Sequence, residues 1–247
     1  MISQEYLKEI SKESGLHLYQ QEKDYLLKLF LYFYYKRYED AVFKGGTCIK
    51  YTLELNRFSE DLDFELTTTP KKFKKQVDKT LEDIREVGIE NQYLKSEFFE
   101  DTYTCEIKFK GPRYSGKKHS RNKFRIDAGK RLGLVKKPQW TFIDSQYPET
   151  KNKIMVYAMN PQEILVEKTI ALFERNKGRD LYDVWFMLKN NIKLDHQILT
   201  KKYDKKIDWK KIVDEKTYEN DIKRLVGRVI PYSQVKSEIK KELEPLL

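Results

Sequence analysis

Cysteine is almost absent: Cys48 and Cys105 are the only two among 247 residues. Two thiols without metal-type spacing exclude a disulfide framework and a cysteine-rich zinc module. They predict buried or half-buried free thiols in a reducing, cytoplasmic setting. The three histidines, His17, His119 and His196, form no ligand or nucleophile pattern. Long apolar runs are missing as well. The most hydrophobic stretch, YLLKLFLYFYY at 25–35, carries Lys28 and falls well short of the roughly 20 residues that span a bilayer. It is expected to be a buried helix of a soluble protein. The opening MISQEYLKEISKESG is polar, unlike a secretory leader.

Charge, by contrast, is abundant. Charged residues make up 36% of the chain, and 49 Lys and Arg face 39 Asp and Glu, a formal charge of +10. A polyanionic partner fits this balance, and so does a lysine-rich solvated surface. Hydrophobic content of 39% is low for a globular protein, but 13% aromatics supply the bulk of a core and argue against disorder. The length allows one large domain or two small ones.

Helical spacing is read over 3–13 and over 18–38, where Leu26, Leu27, Phe30, Phe33 and Tyr34 share a stripe. Ala41 to Lys44 is a short strand ending at Gly45-Gly46. A helix follows over 47–55, then a strand from Asp61 to Leu66 with period-two alternation. Pro70 opens an amphipathic helix to about Val87, with Phe73, Val77, Leu81 and Ile84 on one stripe. From Ile89 to Tyr157 the texture is β, with strands at 103–109, 123–127 and 154–157. Asn160-Pro161 marks a helix start, and helices are expected over 161–175, 180–190, 195–204, 208–226 and 232–244. No internal repeat or low-complexity linker interrupts the chain. The expected organisation is a mixed α/β domain over 1–157 and a helical domain over 158–247.

The chemistry concentrates in FKGGTCIKYTLELNRFSEDLDFE, residues 43–65. On a strand, Asp61 and Asp63 share a face about 6–7 Å apart. Two carboxylates so placed repel each other without a cation, and a pair of Mg²⁺ ions (or Mn²⁺) removes that repulsion and suits in-line attack at phosphorus. Gly45 and Gly46 let backbone approach a phosphate at a helix start, and Thr47 adds a hydroxyl. Either element alone is commonplace, a tight turn or an exposed strand end. Strand, Gly-Gly-Thr, helix and Asp-x-Asp in series is far more specific.

A glycine pair, a small hydroxyl residue, thirteen residues and Asp-apolar-Asp resemble the nucleotidyltransferases of the DNA polymerase β superfamily. Lys44-Gly45-Gly46-Thr47 with Arg57-Phe58-Ser59-Glu60-Asp61-Leu62-Asp63 resembles a narrower branch, the AbiEii/AbiGii-type toxin nucleotidyltransferases. Glu167-Lys168 followed by Arg179-Asp180-Leu181-Tyr182-Asp183 extends the resemblance over about residues 40–190. It implies an α/β (α+β) fold with a mixed sheet, followed by a helical C-terminal domain. It also implies NTP as substrate, with the nucleoside monophosphate passing to an acceptor and pyrophosphate leaving.

In such proteins a third carboxylate completes the metal site, and Asp127 in Phe124-Arg125-Ile126-Asp127 is the candidate; the bland alternative is a counter-ion for Arg125 or Lys130. The resemblance assigns Lys168 to the triphosphate, and Asp180 and Asp183 to its support or to nucleotide binding, though both acids also suit a helix start. Arg57 and Ser59 share the acidic loop; Ser59 either bonds a phosphate or caps the turn. Tyr182 and Trp185 read as core. The acceptor implied is the 3′ end of tRNA, in a toxin restrained by an antitoxin. The basic stretch with Lys117, Lys118, Arg121, Lys123, Arg125, Lys130 and Arg131 fits RNA. Transfer of AMP to a protein hydroxyl, or a catalytically inactive RNA-binding module, are the rival readings. The basic runs Lys201-Lys202, Lys205-Lys206 and Lys210-Lys211 permit an RNA or a protein partner for the C-terminal helices.

Overall fold

Alternation of buried and exposed residues organises the first 158 residues around one sheet. A computed structural model describes residues 1–205 and 208–244, so Lys206 lies outside the described residues. Two compact units are present. The first comprises Met1–Thr52, Glu60–Gly133 and Pro138–Ala158; the second comprises Leu53–Ser59, Leu134–Lys137 and the chain from Met159 onward.

In the first unit, Ser3 caps α1 (Gln4–Ser14) by accepting from the Tyr6 N–H, and Gly15 ends it with φ of 70°. The apolar helix forms as α2 (Leu18–Tyr35), with every residue from Gln21 to Leu31 except Lys28 buried. Phe33, expected on its core stripe, is half-buried. Strand β1 (Ala41–Lys44) runs directly into α3 (Gly45–Thr52), and β2 (Leu62–Leu66) begins one residue later than the alternation predicts. Thr69 caps α4 (Pro70–Glu86), and its stripe of Phe73, Val77, Leu81 and Ile84 is buried. The remaining strands are β3 (Glu90–Phe99), β4 (Thr102–Lys110), β5 (Asn122–Gly129), β6 (Gln139–Asp144) and β7 (Lys153–Ala158).

The sheet order is β3-β4-β5-β2-β1-β7-β6. Pairs β2/β5 and β1/β7 are parallel and the others antiparallel, so the sheet is mixed. One face is aromatic. Phe64 packs against Phe43 and Phe73 with ring centroids 5.7 Å away, and Phe124 lies 5.9 Å from Phe30 of α2. Each such ring contributes about 1.5–3 kcal/mol by burial, which fixes the register. The opposite face then receives Lys44, Asp63, Glu65, Arg125 and Asp127 by alternation. Cys48 and Cys105 are both buried and free, and burial pushes each thiol up to about 12.

In the second unit, Asn160 caps α5 (Pro161–Glu174) as expected, accepting from the Gln162 N–H at 3.0 Å. Helices α6 (Gly178–Lys189), α7 (His196–Lys202), α8 (Glu215–Ile222) and α9 (Tyr232–Leu243) follow. The single helix expected over 208–226 is corrected to a 3₁₀ turn at Trp209–Lys211 and the shorter α8. Two aspartates explain the break: Asp208 accepts from the Lys210 N–H and Asp214 from the Thr217 N–H, each opening its own turn. Among the described residues, no helix is long and apolar enough to cross a membrane.

Candidate active site

Strands β2 and β5 pair in parallel with Asp63 opposite Asp127, so the register sets two carboxylates on one face of adjacent strands, about 4.8 Å apart in the hydrogen-bonding direction. Asp61 sits just before β2. Asp127 accepts from two guanidinium groups, Arg131 at 2.6 Å and Arg125 at 3.1 Å. The expectation that Arg125 and Asp127 share a face holds, and their contact is an ion pair.

Gly45 opens α3 with φ of 78°, a conformation L side chains rarely adopt. A Cβ there would lie 2.2 Å from Oδ2 of Asp63. The Asp63 carboxylate therefore occupies the space that any side chain at position 45 would need, at the N-terminal end of α3, where the positive end of the helix favours an anion. Gly46 is buried behind it. Thr47 is fully buried, and its hydroxyl donates to the Asp61 carbonyl at 2.5 Å. That bond ties α3 to the residue preceding β2.

Sequence reasoning missed Glu65. It is 1% exposed; one oxygen accepts from the backbone N–H groups of Arg131 (3.0 Å) and Gly133 (3.1 Å), the other from Lys44 Nζ (2.6 Å). Glu65 thus fastens the turn that presents Arg131 to Asp127. The signal was available, since Glu65 follows Asp63 by two residues and shares its face.

The second unit gathers Arg57, Lys168, Asp180 and Asp183 into a buried ion network. Arg57 grips Asp183 with both prongs, Nε at 2.6 Å and Nη2 at 2.7 Å. Lys168 Nζ stands 2.8 Å from Asp183 and 3.0 Å from Asp180. Burial would raise the Asp183 carboxyl, yet Arg57 and then Lys168 outweigh it and hold it down to about 2. Lys168 is held above its ordinary range: burial opposes its charge, but Asp183 and Asp180 prevail. Lys177, not Asp180, is the N-cap of α6, and Asp180 lies in the first turn with one buried oxygen, Oδ2, that has no hydrogen-bond partner. Ser59 is half-buried in the same unit. Tyr182 is buried as expected, whereas Trp185 is half-buried and donates its indole N–H to Glu238 at 2.7 Å.

The basic stretch is less free than its composition implies. Lys123 pairs with Glu106 at 2.7 Å, and Arg125 and Arg131 pair with Asp127. Arg121 is half-buried, with its guanidinium over the Tyr114 ring. Lys117, Lys118 and Lys130 are exposed. As donors, Asp61, Asp63 and Asp127 offer the hard carboxylate oxygens that suit Mg²⁺. Among the described residues, no three His, Cys, Asp or Glu side chains converge as a ready-made metal group.

Comparison with solved structures matches the fold. MenT4, a nucleotidyltransferase toxin from Mycobacterium tuberculosis, is 16% identical with a TM-score of 0.67, over 100% of this chain and 90% of that one. JHP933 from Helicobacter pylori is 15% identical with a TM-score of 0.59, over 92% of this chain and 91% of that one. An uncharacterized protein of Aquifex aeolicus is 26% identical over 119 residues, 44% of this chain and 57% of that protein, so the match spans little more than half of that relative. The family model of the nucleotidyl transferase AbiEii toxins, of type IV toxin–antitoxin systems, matches residues 36–244. This chain belongs to the AbiEii toxin nucleotidyltransferase family.

Proposed function

We propose that this protein transfers a nucleoside monophosphate from an NTP to a hydroxyl at the 3′ end of tRNA or another RNA, as the toxin of a pair with an antitoxin. The observation that carries the reading is Asp63 in register with Asp127 beside the glycine-opened start of α3. The acceptor oxygen bonds to the α-phosphorus, the bond to the bridging oxygen of pyrophosphate breaks, and the hydroxyl proton leaves to base.

Asp61, Asp63 and Asp127 would hold Mg²⁺, two ions or their Mn²⁺ equivalents. Bound there, the metal supplies charge neutralisation at the phosphates and a lowered pKa for the acceptor hydroxyl. The residues of the chain do the positioning. In this reading Asp127 would take the acceptor proton. Arg125 and Arg131, now on Asp127, carry the planar donors that also grip phosphate oxygens. The backbone N–H groups opening α3 suit the β- and γ-phosphates. Glu65 and Thr47 hold these parts in place. In this reading Arg57, Lys168, Asp180 and Asp183 form the nucleotide-binding part of the second unit.

The test is incubation with total tRNA, Mg²⁺ and each α-³²P-NTP separately, beside an Asp63→Asn control. Label on RNA from one NTP and none in the control is the expected result. Label on protein would replace the RNA acceptor with a protein hydroxyl. Equal label from Asp63→Asn would remove the carboxylates from the mechanism.

A further inference from the structure

The hairpin of β6 and β7 presents an apolar shelf. Trp140 stands opposite Tyr157 and Phe142 opposite Met155. Trp140, Phe142 and Met155 are 42%, 65% and 47% exposed, whereas Ile143, Ile154 and Val156, of the other parity, are buried. The rings of the shelf pack on one another. The Trp140 ring lies 5.1 Å from that of Tyr157 and meets Tyr35 edge-on at 5.9 Å. The Tyr35 hydroxyl in turn donates to the Ala41 carbonyl at 2.8 Å.

Register puts the shelf on the acid-bearing face. Phe43 pairs with Phe64 on one side and with Ala158 on the other, so these three share a face. Tyr157 and Met155 alternate to the opposite face, that of Lys44, Asp63 and Asp127. With strands about 4.8 Å apart, β1 intervening and an offset of two to four residues along them, the shelf lies on the order of 12–20 Å from Asp63. That is the reach of the last few nucleotides of a strand whose 3′ end is at the acids.

The charge around the shelf suits a polyanion. Within the first unit, Lys130, Lys151 and Lys153 are exposed in the hairpin or the chain leading into it, against Asp144 and a Glu149 that holds the Tyr25 hydroxyl and the N-terminal amine. Exposed rings beside cations are the features by which proteins hold unpaired bases.

We infer that this shelf stacks the unpaired bases of single-stranded RNA adjacent to its reacting 3′ end. The inference rests on the proposed RNA acceptor and adds the surface that selects an unpaired end over a duplex.

The experiment measures fluorescence anisotropy of two labelled RNA hairpins, one with a four-nucleotide 3′ overhang and one blunt, binding the full chain without NTP. Wild type should prefer the overhang. Phe142→Ser, at a side chain too exposed to threaten the fold, should weaken overhang binding at least roughly fivefold and leave the blunt hairpin unchanged; Met155→Ser is the second variant. Equal wild-type affinity for both RNAs, or two variants that bind the overhang like wild type, overturns the shelf, while label transfer to the overhang RNA would still uphold the acceptor reading. If wild type neither binds nor labels either RNA, the acceptor reading falls and the shelf with it. A wild-type dimer that Phe142→Ser dissociates, with RNA affinity unchanged, would make the shelf a self-interface and overturn it too.

Discussion

The guanidinium of Arg131 lies 2.6 Å from the carboxylate of Asp127, and Arg125 approaches the other oxygen at 3.1 Å. Both arginine side chains are about half exposed, and exposed pairs of this kind contribute about 0–1 kcal/mol. The pairs are therefore exchangeable. Arg131→Gln removes one competitor for Asp127 and should raise Mn²⁺ affinity roughly two- to fivefold, read by electron paramagnetic resonance of free Mn²⁺. Unchanged affinity in that variant, with binding lost in Asp127→Asn, would show that the arginine does not compete.

Gly45→Ala places a methyl group 2.2 Å from the present position of Asp63 Oδ2, on a backbone with positive φ. The expected loss is on the order of 1–3 kcal/mol of stability, seen in urea unfolding. Nucleotide transfer should fall much further than stability does, because Asp63 has to move. Transfer that falls no faster than the folded fraction would show that Asp63 needs no fixed position.

Thr47→Val keeps the shape of a fully buried side chain and deletes its hydrogen bond to the Asp61 carbonyl. Stability should drop by about 1–3 kcal/mol, since that carbonyl loses its donor. A phosphate ligand at Thr47 predicts the reverse emphasis, unchanged stability and a raised KM for NTP.

Asp183→Asn leaves the buried Arg57 and the half-buried Lys168 with half their counter-charge, and should cost about 3–5 kcal/mol. The pH dependence has a definite sign. The folded Asp183 carboxyl lies at about 2, below the unfolded value near 3.9, so its contribution is complete above pH 4 and is lost as pH falls toward 2. That contribution is roughly 2 kcal/mol. Thermal unfolding at pH 7 and pH 3 should converge for wild type and Asp183→Asn; parallel curves would contradict it.

Much of this fold was legible in the sequence where one face of an element is buried. The stripe of α4 and the strand Leu62–Leu66 announce themselves because polar and apolar residues segregate. Strand β3 gave no such signal, because it is a sheet edge and nearly all its residues are exposed. Strand β6 was hidden for a related reason: its large apolar residues Trp140 and Phe142 face outward, so its alternation does not mark the buried face. At the site, residue types marked Asp61, Asp63 and Asp127, but pairing determines what each touches. Arg125 and Arg131 looked like a cationic patch until the register brought them to Asp127. Spacing put Glu65 on the face of Asp63, but its role rests on two backbone N–H groups and a lysine that only the fold brings to it. Lys168 was marked only by the resemblance, and it is half-buried between two acids from the next helix.

The chain passes between its two units five times, at residues 52/53, 59/60, 133/134, 137/138 and 158/159. The gene therefore cannot be divided into two working halves at residue 158. A fragment ending there would keep Arg57 but lose Asp183, and would keep the N–H groups of Val135 and Lys136 but lose the Glu163 carboxylate that accepts both at 2.8 Å. Fusion partners and recombination breakpoints are tolerable only at the chain ends or within loops interior to one unit. The threading makes the protein heritable as a single piece.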